Sequence, residues 1–268
     1  MKIEYSARSH VGLTRENNED NLFVNGATLP PDIGKRLFSL DGVAEPPIVL
    51  ALCDGMGGRE DGELASRIAV GTVSRFAEKI RGAKAEQVFD AVQTCVKEAD
   101  TAIRAAGGKQ RRSGTTFSMA VIQKRAVRCF NLGDSRVYAL CGKDFRQITR
   151  DHTWIAEHMG TNGIQPQYKG NLYKLTGCLG LGHPRDAAAY PPIAGAYRLL
   201  LCSDGLSDML YPNEIERILR DNRNTVDAAD ALLSTALDKG GYDNVTLIVA
   251  DGGSGFPRLF AGWNAKGR

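Results

Sequence analysis

The chain has 268 residues, 43% of them hydrophobic and 24% charged, so it can build a substantial core and length alone allows one or two domains. Its formal net charge of +3 is mild, which gives no reason to expect a nucleic-acid partner, and we interpret the densest basic run, residues 109–112, as a solvated loop. The N-terminus lacks a secretion signal and no run reaches the ~20 apolar residues that span a membrane, so we expect a cytoplasmic protein without a membrane role.

The apolar pattern predicts strands wherever short apolar or alternating runs lie between turn residues. In chain order these are residues 3–11, a strand beginning at 20–24, and residues 48–53, 115–123, 126–132, 136–140, 197–202 and 245–250. The segment 25–47 is rich in Gly, Pro and polar residues and is predicted to be a connection. Residues 160–171 are polar and unpatterned, which predicts a loop or flap over a site.

Helices are predicted where apolar residues recur at helical spacing. One apolar face carries Leu64, Ile68, Val73, Phe76 and Ile80, and a second helix carries Val88, Val92, Cys95, Ala99 and Ile103. Further helices are predicted at 153–159, from Pro212, and at 226–237. Because the strands follow one another through short turns while the helices come in pairs, we predict an α+β fold with antiparallel sheets and helices packed outside.

Acidic residues recur where strands end or begin, at positions far apart in the chain. They are Glu19 with Asp20, Asp54, Asp134, Asp204 and Asp243. One Asp-Gly pair alone indicates an ordinary turn. Several carboxylates are costly to bury together, so a fold that gathers them is expected to bind something positive. The set therefore predicts a site for hard cations, Mg²⁺ or Mn²⁺, and for more than one ion.

Two hard cations side by side are suited to hydrolysis of phosphate esters, and a phosphate dianion favours the fixed fork of an arginine. Arg15 lies four positions before Glu19 and is the candidate for that contact; taken alone it would be an ordinary surface arginine. A two-metal nuclease or phosphodiesterase is an alternative, but it would need a basic groove that the mild charge leaves little room for.

Seven short motifs in order resemble the metal-dependent serine/threonine protein phosphatases of type 2C, in a bacterial-like form. They are residues 12–20 (GLTRENNED), 54–58 (DGMGG), 113–116 (SGTT), 133–136 (GDSR), 151–153 (DHT), 203–206 (SDGL) and 243–246 (DNVT). The resemblance implies two packed antiparallel β-sheets flanked on both sides by helix pairs, a four-layer αββα sandwich with the metal site at one end of the sheets. It also implies a single catalytic domain over residues 1–251, with 252–268 as a peripheral tail.

The resemblance implies a role for each acidic residue. Asp54 would bridge two Mg²⁺ or Mn²⁺ ions, the Gly55 carbonyl would join one of them, and Asp204 and Asp243 would complete the other. Asp20 would belong to the metal site, with Glu19 and Asn244 near metal-bound water, and Arg15 would hold the substrate phosphate. Asp134 together with Asp204 would form a third, weaker site.

The implied reaction is hydrolysis of phosphoserine and phosphothreonine by direct attack of hydroxide bridging two metals, on proteins that an opposing Ser/Thr kinase phosphorylates, by an enzyme expected to be monomeric. The alternative is a pseudophosphatase that binds phosphoproteins without turnover. Many eukaryotic relatives carry His where this chain has Met56, bacterial members commonly have Met there, and Met cannot donate a proton. The acid for the leaving group is therefore unassigned: His152, His158 and His183 are candidates, and our hypothesis is that metal-bound water serves instead.

Overall fold

The computed structural model describes residues 1–31, 34, 36–57, 61–107, 113–158, 173–181 and 185–253. The basic run at 109–112, the predicted flap at 160–171, His183 and the chain beyond Gly253 lie outside these ranges. Within them, no helix has the length and apolar character needed to cross a membrane.

Thirteen strands and six helices make up the described part of the chain. The strands are β1 (Ile3–His10), β2 (Asp20–Val24), β3 (Ala27–Thr28), β4 (Phe38–Ala44), β5 (Ile48–Met56), β6 (Gly114–Thr115), β7 (Phe117–Ile122), β8 (Val127–Leu132), β9 (Arg136–Cys141), β10 (Asp144–Gln147), β11 (Ala188–Ala189), β12 (Tyr197–Cys202) and β13 (Val245–Gly252). The helices are α1 (Asp61–Gly82), α2 (Val88–Gly107), α3 (Trp154–His158), α4 (Asp204–Ser207), α5 (Pro212–Asp221) and α6 (Thr225–Asp238).

The strands form two antiparallel sheets. The first has the order β10-β9-β12-β13-β1-β4, and the second has the order β11-β8-β7-β5-β2-β3, with β6 paired to the end of β5. Because β1 pairs with β13, the two ends of the described chain lie side by side in the first sheet. The second sheet is assembled around β5, which pairs with β2 on one side and β7 on the other.

Three apolar cores separate four layers. One core lies between the paired helices α1 and α2 and the second sheet, and includes Val73, Val92 and Phe130. A second lies between the two sheets, and the third lies between the first sheet and helices α5 and α6. The predicted α+β sandwich of two antiparallel sheets with helices on both outer faces is confirmed.

The described end of the segment 25–47 forms a strand that its composition did not indicate. Strand β4 lies within it and pairs along its length with β1 at the edge of the first sheet. Its side chains alternate between half-buried and exposed, with Phe38 and Leu40 packed against the core between the sheets. The prediction of a simple connection was therefore wrong. An edge strand with one solvent-exposed face contains few apolar residues, so its sequence gives only a weak strand signal.

The face that α1 buries also differs from the predicted one. Leu64, Ile68 and Phe76 are only half-buried, and small residues such as Ala65, Ala69 and Ala77 fill the contact with the second sheet. Small side chains let the helix approach the sheet closely, so the larger apolar residues lie at the margins of the contact. The predicted face of α2 is correct, since all five of its apolar positions are buried.

Candidate active site

A cleft of about 570 Å³ opens at one end of the two sheets. Its lining contains all of the predicted site residues except Asp20, which lies behind it. The lining residues are Thr14, Arg15, Glu16, Asn17, Glu19, Asp54, Gly55, Met56, Gly57, Asp134, Leu175, Asp204, Asp243 and Asn244. Residues from widely separated parts of the chain therefore meet at one place.

The floor of the cleft is formed where β2 and β5 pair. Asp20 and Asp54 are direct cross-strand partners in this antiparallel pair. The Asp54 amide donates to the Thr116 hydroxyl at 2.9 Å, and its carbonyl accepts from the Thr116 amide at 2.9 Å. Backbone pairing on both sides thus fixes Asp54 at the end of a rigid strand, which is the support that a precisely placed ligand needs.

Gly55 lies where three backbone segments come close together. Its amide donates to the Glu19 carbonyl at 3.1 Å, and a Cβ at this position would lie 2.1 Å from the Gly62 carbonyl oxygen. Only glycine fits such an approach without displacement of the backbone. The Asp-Gly pair at 54–55 therefore reflects tight packing beside the cleft, in addition to any use of the Gly55 carbonyl as a ligand.

Strand β12 ends at Cys202, as the sequence predicted, and Asp204 begins the short helix α4, which the sequence did not indicate. Ser203 precedes it in an extended conformation, and its hydroxyl donates to Asp20 at 2.8 Å. Gly205 packs against the start of β13, where a Cβ would lie 2.0 Å from the Asn244 carbonyl oxygen. This close contact joins the Asp204 turn to the segment that carries Asp243.

We expect Gly205→Ala to destabilise the protein by ~1–3 kcal/mol, because the new methyl group forces the Asp204 turn and the Asn244 backbone apart. Gly71→Ala is the matched control: it lies inside α1 with no atom within 4 Å of its Cβ position. That change should stabilise the protein by ~0.5–1 kcal/mol. Urea unfolding of the two variants checks both signs, and equal stabilities would contradict the close packing described here.

The mouth of the cleft is closed on one side by contacts between the segment that contains Arg15 and the start of β13. Arg15 Nη2 donates to Asp243 Oδ2 at 2.6 Å, and Asp243 Oδ1 accepts from the Asn244 amide at 2.8 Å. The Asn244 side chain donates to the carbonyls of Val11 and Asn17 and accepts from the Glu19 amide at 2.8 Å. Asn244 therefore fixes the loop that carries Arg15 and Glu19. Only the second lone pair of its Oδ1 is left to accept from a water.

Asp134 enters the cleft from the turn between β8 and β9. Asp208, a residue that the sequence analysis missed, lies one helical turn after Asp204, and its amide donates to the Asp204 carbonyl at 2.7 Å. Burial is the main cause of the raised pKa of Asp134 and Asp204, and the charge of Asp208 adds to it in both. The spacing of four positions from Asp204 was the available signal, since residues that far apart share one face of a helix.

The carboxylates share one electrostatic environment. Burial, followed by the charges of Asp20, Asp204 and Asp134, raises the pKa of Asp54 well above its usual range. Burial and then the Asp134 charge do the same to Asp204. Burial also raises the pKa of Asp20 to about 7 and that of Asp134 to about 6. Each acid is thus easier to ionise once a positive charge compensates its neighbours.

This environment predicts how stability depends on pH when divalent metal is removed. Asp20 has a pKa of about 7 in the folded protein against 3.8 for the free group, so the folded state binds the extra proton between these values. Stability from this group is therefore lost as pH rises from about 4 to 7, by an amount on the order of 3 kcal/mol. We expect the free energy of unfolding of Asp20→Asn, measured relative to wild type, to increase as pH rises from 5 to 7.5.

Urea unfolding in a chelating buffer at the two pH values gives the comparison. Burial lowers the pKa of His10 and His152, so these groups make both proteins more stable as pH rises. Subtracting the wild-type stability from that of Asp20→Asn cancels this shared contribution. Asp144→Asn, at an exposed position in β10, is the control and should show no such difference. A constant offset between Asp20→Asn and wild type at both pH values would contradict the prediction.

The residues at the cleft fit a hard cation. Their donors are carboxylate oxygens and backbone carbonyls, and Asp20 Oδ1 is buried with no hydrogen-bond partner in the structure. Among the described residues, no three His, Cys, Asp or Glu side chains are already arranged to hold a metal ion. Both oxygens of Asp243 are engaged by Asn244 and Arg15, and the remaining acids repel one another. An ion at Asp243 Oδ2 would therefore compete with the Arg15 guanidinium.

No histidine lines the described part of the cleft. His152 lies outside the lining, and its Nδ1 accepts from the Gly133 amide at 3.0 Å. His158 ends α3, but its side chain lies outside the described residues, as does His183. Met56 does line the cleft, with a side chain that donates no proton.

An α+β sandwich with a cleft of carboxylates at one end of its sheets indicates a metal-dependent protein that binds hard cations. Residues 40–240 match the model of the protein phosphatase 2C family. The serine/threonine phosphatase stp of Listeria monocytogenes serotype 4b (strain F2365) is 30% identical over 254 residues, which cover 91% of this chain and 94% of the relative. The chain therefore belongs to the protein phosphatase 2C family, as its motifs predicted.

Solved structures of this family share the fold. The crystal structure of the Mycobacterium tuberculosis serine/threonine phosphatase PstP/Ppp matches with a TM-score of 0.77 at 28% identity, covering 95% of this chain and 100% of that chain. The catalytic domain of PstP in complex with 2 manganese ions matches with a TM-score of 0.74 at 29% identity, over 93% of this chain and 98% of that one.

Proposed function

We propose that this protein is a serine/threonine protein phosphatase that hydrolyses phosphoserine and phosphothreonine in proteins with the help of Mg²⁺ or Mn²⁺. The observation that carries the proposal is the convergence of Asp54, Asp134, Asp204 and Asp243 in one cleft with Arg15 at its mouth. Membership of the protein phosphatase 2C family and the manganese ions in the related PstP domain support it.

The residues that would hold two ions are Asp54, the Gly55 carbonyl, Asp204 and Asp243, with Asp20 behind them. Such ions supply a nucleophile from water at neutral pH and neutralise the phosphoryl oxygens. Glu19 lines the cleft beside them, where Asn244 fixes its backbone. The role proposed for both is to orient water. Asp134, together with Asp204, would hold a third ion.

Arg15 is the proposed phosphate ligand. Its side chain is half exposed at the mouth of the cleft, and its guanidinium can offer two parallel N–H donors to a phosphate dianion. Asp243 holds it at the rim, so the phosphate group would meet the arginine before it reaches the acidic floor. Neutralisation of that floor is required first, because carboxylates repel a dianion.

We further propose that residues 1–251 form a single catalytic domain and that 252–268 are peripheral. The pairing of β1 with β13 supports one unit, and β13 continues to Gly252, one residue past this boundary. The proposed setting is a monomer in the cytoplasm. An opposing Ser/Thr kinase is proposed because the related bacterial proteins are named serine/threonine phosphatases. Nucleic acid and membrane are not proposed as partners.

The direct test is hydrolysis of a phosphothreonine peptide by the purified chain with Mn²⁺. Activity is expected with Mn²⁺ and its loss on chelation. A protein that binds the phosphopeptide but releases no phosphate would overturn the proposal in favour of a phosphoprotein-binding pseudophosphatase. Cleavage of nucleic acid, with binding that falls steeply as salt rises, would favour the nuclease instead.

A further inference from the structure

His152 and Gly133 are joined by two backbone-directed hydrogen bonds. The Gly133 amide donates to His152 Nδ1 at 3.0 Å, and the His152 amide donates to the Gly133 carbonyl at 2.9 Å. An imidazole whose Nδ1 accepts a hydrogen bond must be neutral with its proton on Nε2. Burial lowers the pKa of His152, which favours the same neutral form.

Gly133 is held firmly on its other sides. Its φ of 123° lies in the region that favours glycine, and a Cβ here would lie 2.6 Å from the Thr116 side chain. Its carbonyl also accepts from Asn131 Nδ2 at 3.0 Å. The next residue is Asp134, which lines the cleft, so the position of the Gly133 peptide determines where the Asp134 carboxylate lies.

His152 is fixed in turn by the segment at 175–177. Its carbonyl accepts from the Thr176 amide at 2.8 Å, and Gly177 packs so closely that a Cβ there would lie 3.3 Å from His152 Cβ. Leu175, beside this contact, lines the cleft. His152 therefore connects two walls of the cleft without lining it.

We propose that His152 is a positioning residue, which holds Asp134 in the cleft by accepting the Gly133 amide at Nδ1. The proposal rests on the proposed function, because the position of Asp134 matters only if its carboxylate binds an ion. Partners that orient a ligand typically change metal affinity by 10–100-fold when they are removed. His152 thus affects the site through Gly133 rather than through a proton given to substrate.

Two substitutions with amide side chains distinguish the hydrogen bond donated by the Gly133 amide from the mere presence of a polar side chain at position 152. His152→Asn can place its Oδ1 near the position of Nδ1, whereas His152→Gln carries the same amide one methylene further and cannot. Calorimetric titration of each variant with Mn²⁺ is compared with Asp134→Asn, which defines the binding step that depends on Asp134. Urea unfolding is measured in parallel to show that each variant is folded.

We expect His152→Gln to weaken the Asp134-dependent step about tenfold and His152→Asn to weaken it less than threefold. The double variant His152→Gln with Asp134→Asn should bind Mn²⁺ like Asp134→Asn alone, because both changes remove the same interaction. Additive losses, equal effects of Gln and Asn, or no binding step that depends on Asp134 would overturn the proposal. The titration needs no turnover, so inactivity of the wild-type protein would contradict the proposed phosphatase function separately.

Discussion

Asp54→Asn is expected to lower kcat for hydrolysis of a phosphothreonine peptide by roughly 10³-fold or more, with Mn²⁺ present in excess. The reason is the position of Asp54 at the meeting point of the cleft: the charges of Asp20, Asp204 and Asp134 all raise its pKa, after burial itself. Loss of its charge would therefore weaken every ion that these acids hold.

The same substitution should not destabilise the fold. In metal-free protein at neutral pH, Asp54→Asn removes a half-buried acid whose charge is unfavourable beside the other carboxylates, so its urea midpoint in chelator is expected to equal or exceed that of wild type. Asp144→Asn, at an exposed position in β10, is the control and should keep both activity and stability. More than a tenth of wild-type activity in Asp54→Asn would show that Asp54 is not central to the reaction.

The parts of the fold that the sequence predicted are those with strong periodicity. Strand β5 is a nearly continuous apolar run, and helix α2 repeats apolar residues at helical spacing. Both patterns identify their elements without tertiary information. Strand β4 and helix α4 were missed because one is a half-exposed edge strand and the other is a four-residue turn of helix. Such elements are formed by what they pack against, so their local sequence carries little signal.

The sequence predicted which acidic residues line the cleft, but it did not predict the hydrogen bonds and ion pairs between the residues there. The acidic residues could be gathered by their shared position next to strands. The ion pair between Arg15 and Asp243, however, joins residues 228 positions apart and depends on packing of the two loops. Asn244 was expected beside water, and the structure shows that its amide mainly holds the Arg15 loop. Contacts of this kind have no signal in local sequence.

Arg15→Ala is the second change with a large expected effect. We expect kcat/KM for the phosphothreonine peptide to fall by ~10²-fold, because the phosphate loses a charged, two-pronged donor. Arg15→Lys should recover little of this loss, since an ammonium group cannot reproduce the planar fork. Arg75→Ala is a matched control: its side chain is 57% exposed against 53% for Arg15, and it too pairs with one carboxylate, that of Glu98.

Arg15→Ala should also tighten Mn²⁺ binding, which distinguishes a phosphate ligand from a structural arginine. Arg15 donates to Asp243 Oδ2, so an ion at that oxygen competes with the guanidinium. Removing the guanidinium deletes both a competitor for that oxygen and a positive charge beside it, so the calorimetric dissociation constant for Mn²⁺ should fall several-fold. Opposite effects on the two ligands are expected only if Arg15 exchanges Asp243 for phosphate. Weaker Mn²⁺ binding in Arg15→Ala would instead show that the ion pair supports the metal-binding geometry.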